Sequence, residues 1–135
     1  MAAAGIPGTW ESSTERVPMT PAAAARLGAG PGDPAIRTTY AFLGDGKPVM
    51  LSVSWEPAAL TSGTAIMLPE EGPHAGETVA ARLALAAEAE RLGIRPGGIV
   101  LTITRIYYTD QHPVETADIV LPAERYAVTY EVPVR

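Results

Sequence analysis

The chain repeats itself at an offset of 65 residues without a gap, which restricts it to folds assembled from two like halves. Sliding residues 26–58 onto 91–123 gives eleven identities over 33 positions. They are Arg26/Arg91, Leu27/Leu92, Gly28/Gly93, Pro31/Pro96, Gly32/Gly97, Thr39/Thr104, Asp45/Asp110, Pro48/Pro113, Val49/Val114, Pro57/Pro122 and Ala58/Ala123. Independent matching at ordinary residue frequencies would give roughly three. The matches fall at backbone punctuation: a helix end, a Pro-Gly corner, a hairpin turn and a strand exit. A duplicated helix-hairpin unit follows.

The local patterns give each unit its content. Thr20 can cap a short helix with Pro21 at its first position, running to Leu27 and stopped by Gly28. Residues 10–19 are expected to be extended, and residues 1–9 to form a disordered or strap-like start. Residues 36–43 alternate as a strand, Gly44-Asp45-Gly46 signals a hairpin, and residues 49–55 return with Val49, Leu51, Val53 and Trp55 on one face. Residues 57–74 read as a long polar connection. A helix is then expected to begin near Gly76 or Glu77. The second unit follows with Gly93 as stop, Pro96-Gly97 as corner, and strands over 99–108 and 114–121. Alternation of Tyr126, Val128, Tyr130, Val132 and Val134 predicts a last strand. The sum is an α+β fold, an antiparallel β-sheet with helices on one face, built from two pseudo-symmetric helix-hairpin units. The crevice between such units is a natural ligand site.

Composition narrows the functions. At 135 residues the chain can bury roughly two thirds of its unfolded surface as one domain. It has no cysteine, which removes disulfides, thiolate metal sites and thiol nucleophiles. The formal charge is −5, and the ten basic residues, of which Lys47 alone is a lysine, are scattered. A phosphate backbone demands a basic patch, so the chain is not expected to hold nucleic acid by itself. No secretory leader or bilayer-length apolar run is present, so a soluble cytoplasmic protein with no membrane partner is expected.

Several runs together resemble one family. Arg105-Ile-Tyr-Tyr, followed by Pro113-Val-Glu-Thr-Ala-Asp-Ile-Val-Leu-Pro-Ala-Glu-Arg-Tyr126, is similar to the C-terminal signature of the UTRA domain. That domain is the effector-binding half of GntR-type transcription regulators of the HutC subfamily. Gly46-Lys-Pro-Val-Met-Leu-Ser-Val-Ser-Trp-Glu-Pro57 resembles its first hairpin. Leu60-Thr-Ser-Gly-Thr64 and Leu68-Pro-Glu-Glu-Gly-Pro-His-Ala-Gly76 look like the connection found in actinobacterial members. The resemblance covers residues 10–135. It implies a chorismate-lyase-like fold, a homodimer, a small-molecule effector held between sheet and helices, no catalysis, and no cofactor or metal. DNA would be reached only through a winged helix-turn-helix domain, which the resemblance places before this chain's start.

The middle departs from the family. Members continue from the segment matching 78–83 into a further strand, whereas here residues 82–93 run straight on. Val79, Leu83, Ala86 and Glu90 lie on one helical face and Leu85, Ala89 and Leu92 on another, so a junction is expected, left by a deletion or by a mobile loop missing from this sequence; if the strand is gone, a sheet edge is exposed.

Chemistry-bearing candidates are few. His112 occupies a hairpin turn and His74 has no second ligand at metal spacing. No nucleotide or nucleophile-elbow fingerprint is present. Thr78, at the expected helix start, matches a family Ser and is either an anion site or a plain N-cap. Ser52 and Ser54 share a strand face, and Ser52 matches a family position often held by Glu. Tyr40 and Phe42 stand where sugar-phosphate-binding members have two arginines. Neither replaces a guanidinium fork, so a less charged or more aromatic effector is expected. Arg37 lies on the opposite face of that strand. Arg105 aligns with Tyr40 across the repeat, and either pairs with a carboxylate or meets the ligand. Glu115 aligns with Met50 where the family places a pocket carboxylate. The candidate ligand-binding set is Arg37, Tyr40, Ser52, Ser54, Thr78, Arg105 and Glu115. Two other roles fit the same residues: an enzyme of the same fold acting on a small carboxylate through Arg105 and Glu115, or a stand-alone dimerisation partner.

Overall fold

The computed structural model describes residues 8–61 and 74–134. The expected strap lies outside them up to residue 7, as does most of the connection after residue 61. In chain order the elements are β1 (Gly8–Pro18), α1 (Pro21–Leu27), β2 (Pro34–Gly44), β3 (Lys47–Pro57), α2 (Ala58–Thr61), β4 (His74–Leu83), α3 (Ala86–Leu92), β5 (Ile99–Thr109) and β6 (His112–Pro122). The strands make one antiparallel sheet in the order β1-β2-β3-β6-β5-β4.

The sequence repeat is a structural repeat. The bounds of α1, β2 and β3 recur in α3, β5 and β6 displaced by the same 65 residues, and the bulge at Phe42/Leu43 recurs at Tyr107/Tyr108. Both helices end on a left-handed glycine, Gly28 (φ 65°) and Gly93 (φ 64°), where a side chain would be strained. The units join through β3 and β6, where Leu51 faces Val120 and Trp55 faces Thr116. Val120 is the counterpart of Trp55, and Thr116 of Leu51. The pseudo-twofold therefore passes through the central pair, Val53 and Asp118, which are counterparts of each other.

Strand alternation divides the sheet into two faces. On one, α1 packs Ala23, Ala24 and Leu27 against Ala35, Trp55 and Val53, while Leu92 of α3 packs against Val100, Val120 and Leu51. These are equivalent clusters. Each combines a helix Leu with a β2 or β5 residue and a β3 or β6 residue, Ala35 with Trp55 in one unit and Val100 with Val120 in the other. The other face carries no helix among the described residues.

Two expected elements differ. Residues 74–83 form no helix; they are β4, paired with β5 over ten residues from His74↔Tyr108 to Leu83↔Ile99. Ala, Arg and Leu favour helices intrinsically, but an uninterrupted ladder outweighs propensities of a few tenths of a kcal/mol per residue. The expected junction is real and lies at Ala84–Leu85: Val79 and Leu83 belong to the strand, Ala89 and Leu92 to the helix. β4 is the counterpart of β1 in the second unit, and the two stand at opposite edges of the sheet. Residues 126–134 form no strand, and Tyr130, Val132 and Val134 are exposed. They follow β6, whose two neighbours, β3 and β5, already take its hydrogen bonds. Among the described residues no helix is long and apolar enough to cross a membrane.

Candidate functional site

The helix-free face is hollowed at the centre of the sheet into a pocket of about 340 Å³. Its lining follows from alternation. β2 supplies Tyr40 and Phe42, β3 Met50, Ser52 and Ser54, β5 Arg105 and Tyr107, β6 Glu115, Ala117 and Ile119, and β1 adds Trp10. Apart from Trp10, every lining residue is paired with its own counterpart: Tyr40/Arg105, Phe42/Tyr107, Met50/Glu115, Ser52/Ala117 and Ser54/Ile119. The pocket thus straddles the pseudo-twofold. Substitution since duplication has left the charged groups to the second unit and the serines to the first.

Each polar side chain has a distinct environment. Arg105 is ion-paired with Glu77 of β4, donates from Nη1 to the Tyr107 hydroxyl at 3.0 Å, and lies over the Tyr107 ring with its guanidinium carbon 5.8 Å from the centroid. Although burial opposes its charge, the Tyr107 and Glu77 hydrogen bonds hold the guanidinium more firmly protonated than usual. Glu77 is held below the ordinary carboxylate range by the Tyr130 hydroxyl, with Arg105 adding to the effect. Glu115 has no ion-pair partner among the described residues. Burial pushes its carboxyl above the usual range and the neighbouring charge of Glu56 adds to this. The Ser54 hydroxyl beside it pulls weakly the other way, for Ser54 Oγ is buried and meets no partner at good hydrogen-bond geometry. Trp10 is 64% exposed and stacks on Tyr40 with centroids 5.2 Å apart and planes at 15°.

Five of the seven sequence candidates, Tyr40, Ser52, Ser54, Arg105 and Glu115, meet in this pocket. The other two do not. Thr78 sits on edge strand β4 opposite Thr104, exposed, with no helix N-terminus near its position. Arg37 lies in a larger cleft, about 640 Å³, on the helix side between the two units. There it pairs with Glu15 and covers the Trp55 ring at 5.6 Å. Most charge in that cleft is internally matched: Arg82 grips Glu88 with two hydrogen bonds of 2.7 and 2.8 Å, and Arg26 reaches Asp118 at 2.8 Å. Each hollow keeps one buried polar atom without a hydrogen-bond partner, Arg37 Nε on the helix side and Ser54 Oγ in the helix-free pocket, but only the latter also holds a carboxylate with no ion-pair partner among the described residues, Glu115, which makes it the stronger candidate site.

Residues 73–127 match the UTRA domain family. A crystal structure assigned to the GntR family of transcriptional regulators superimposes on the whole fold with a TM-score of 0.87 at 43% identity, covering 99% of this chain. Over residues 73–127 the chain is similar to UTRA domains. It spans 62% of the length of that relative. Two further structures show the same fold at lower identity. The C-terminal domain of the histidine utilization repressor from Pseudomonas syringae pv. tomato str. DC3000 gives a TM-score of 0.79 at 18% identity, covering 95% of this chain and 100% of that one. The effector domain of PhnF from Mycobacterium smegmatis gives 0.74 at 20%, covering 96% and 91%. The comparison with curated proteins returned no match.

The pocket residues outside the sequence-based set are Trp10, Phe42, Met50, Tyr107, Ala117 and Ile119, together with Glu77, the partner of Arg105. The signal for most of them was available in the repeat. From Tyr40, Ser52 and Ser54 the offset leads directly to positions 105, 117 and 119. Glu77 was hidden because its strand was taken for a helix.

Proposed function

We propose that the chain is the effector-sensing domain of a GntR-type transcription regulator, holding a small molecule in the helix-free pocket without transforming it. The observation that carries this is the convergence of five counterpart pairs on one hollow at the joint between the two units. A ligand seated there touches β2 and β3 of one unit and β5 and β6 of the other, so its binding energy acts on their mutual placement. Homodimerisation belongs to the same proposal. Its support is the apolar edge formed by Val79 and Leu83 of β4 with Ile99 of β5, all exposed in the single chain. In the attached regulator, DNA affinity would then respond to pocket occupancy. A catalytic role on a carboxylate substrate is disfavoured because Arg105, the guanidinium it needs, is already engaged by Glu77 and Tyr107.

A thermal-shift screen of a metabolite collection tests the proposal. Compounds that raise the melting temperature of the parent chain should lose their effect in Ser52→Trp, which fills the pocket. A screen in which no compound shifts the parent chain, or in which Ser52→Trp responds equally, overturns it.

A further inference from the structure

We infer that this pocket takes an organic cation: a molecule with an apolar or aromatic body and an amino or ammonium group seated against Glu115, walled by Trp10, Tyr40, Phe42 and Tyr107. The inference rests on the effector-site reading above and names the ligand class for it. Charge bookkeeping comes first. The pocket's cation, Arg105, is ion-paired with Glu77 and hydrogen-bonded to Tyr107, so its charge is largely balanced before a ligand arrives. Its lining anion, Glu115, has no cationic partner among the described residues, and Glu56 on β3 adds a second negative charge beside it. Seen by a ligand, the hollow is therefore anionic.

The wall chemistry points the same way. The chain has two Trp, five Tyr and one Phe, and four of these aromatics line this hollow. Aromatic faces around a carboxylate recognise ammonium groups, through the ring quadrupole and the opposite charge together. Phosphate or carboxylate ligands instead require unspent arginines or free backbone N–H groups. The asymmetry between counterparts gives the ligand a direction: Glu115 replaces Met50 at one end, and the stacked Trp10–Tyr40 pair offers an apolar platform at the other.

Binding should also carry a proton signature. Burial keeps the Glu115 carboxyl above its ordinary range, and a bound cation favours its ionised form. The charged and titratable groups facing it are Glu56 from β3, Arg105 and Tyr107 from β5, and Glu77 from β4. Of these, Arg105 and Glu77 neutralise each other, leaving Glu56 to titrate with Glu115. Affinity for a cation therefore falls as pH drops through the raised carboxylate range.

Isothermal titration calorimetry with phenethylamine, phenethyl alcohol and phenylacetate tests the inference with three probes of similar shape and different charge. At neutral pH the amine should bind about tenfold or more tighter than either of the others. Glu115→Gln should bring the amine to within about twofold of the alcohol, the fold being checked by an unreduced melting temperature. Trp10→Ala, at an exposed position that tolerates truncation, should also weaken the amine. The cation class is overturned if phenylacetate or the alcohol binds as well as the amine, if the preference survives Glu115→Gln, or if none of the three binds at millimolar concentration. If other compounds still pass the Ser52→Trp control, the sensing role stands and only the ligand class falls.

Discussion

Glu115 shows at the scale of one residue how a buried carboxyl weakens the fold that carries it. Its folded carboxyl titrates above the unfolded one because burial, with help from Glu56, disfavours the charge. The folded state therefore holds the proton more tightly, and stability declines as pH rises through the interval between the ordinary and the raised value. Glu115→Gln should melt higher than the parent at neutral pH, with the difference shrinking on acidification. A variant melting at or below the parent at neutral pH would refute the assignment. The second residue-scale strain lies in a turn. Gln111 has φ 68°, the position held in the first unit by Gly46 at φ 76°. A left-handed conformation costs an L-residue about 1 kcal/mol that glycine avoids. Gln111→Gly should raise the melting temperature by roughly 3–5 °C in a thermal scan. No gain would mean that the Gln111 side chain compensates its backbone.

Among elements, the two helices solve one problem by different means. Thr20 caps α1 by accepting the Ala23 N–H at 3.2 Å. Its counterpart is Leu85, which has no oxygen to offer, so in α3 the Glu88 carboxylate accepts the Leu85 N–H at 2.8 Å while Arg82 holds it from the strand side. The Arg82 hydrogen bond lowers the Glu88 carboxyl below its ordinary value, with lesser help from the Leu85 N–H. Its stabilising effect is present above the unfolded carboxylate range and lost as pH falls through the lowered folded value. Glu88→Ala should cost about 1–2 kcal/mol, read as a lower urea midpoint at unchanged slope. An unchanged midpoint would show that α3 needs no cap. The contrast also explains what was legible in the sequence. α1, both hairpins and the Pro-Gly corners declare themselves through local turn and cap chemistry. β4 did not, because its residues favour helix one by one and only the ladder to β5 makes them a strand. Residues 126–134 erred the opposite way: their alternation is real, but the neighbouring sheet positions are taken. The pocket was half legible, since the family resemblance, together with period two and the repeat, pointed to Tyr40, Ser52, Ser54, Arg105 and Glu115. Arg37 and Thr78 belonged elsewhere, one across the sheet and the other on a misread element.

In the whole molecule the two units are alike in backbone and unlike at the axis. Arg26 at the end of α1 crosses into the second unit, donating to Asp118 Oδ2 at 2.8 Å, while Thr104 donates to Asp118 Oδ1 at 3.2 Å. The mirror-image tie does not exist, because the counterpart of Asp118 is Val53 and Arg91 finds no carboxylate there. One polar bridge thus joins the halves on the helix side, directly behind the pocket on the other face. Its side chains are 26% and 42% exposed, so solvent screens the pair and its worth is near that of a good surface bridge, about 0.5–1.5 kcal/mol. Asp118→Val restores the residue of the first unit and removes the bridge. With Arg26→Met it completes a double-mutant cycle whose coupling term isolates the tie from packing changes at either site. The expected coupling lies in that range and shrinks in high salt, since partly exposed charges are screened. Because the bridge sets how the units meet, the same cycle on ligand affinity should show coupling too, although neither residue lines the pocket. Coupling in stability with none in affinity would mean that the units behave as one rigid body, and that occupancy of the hollow does not act on their mutual placement.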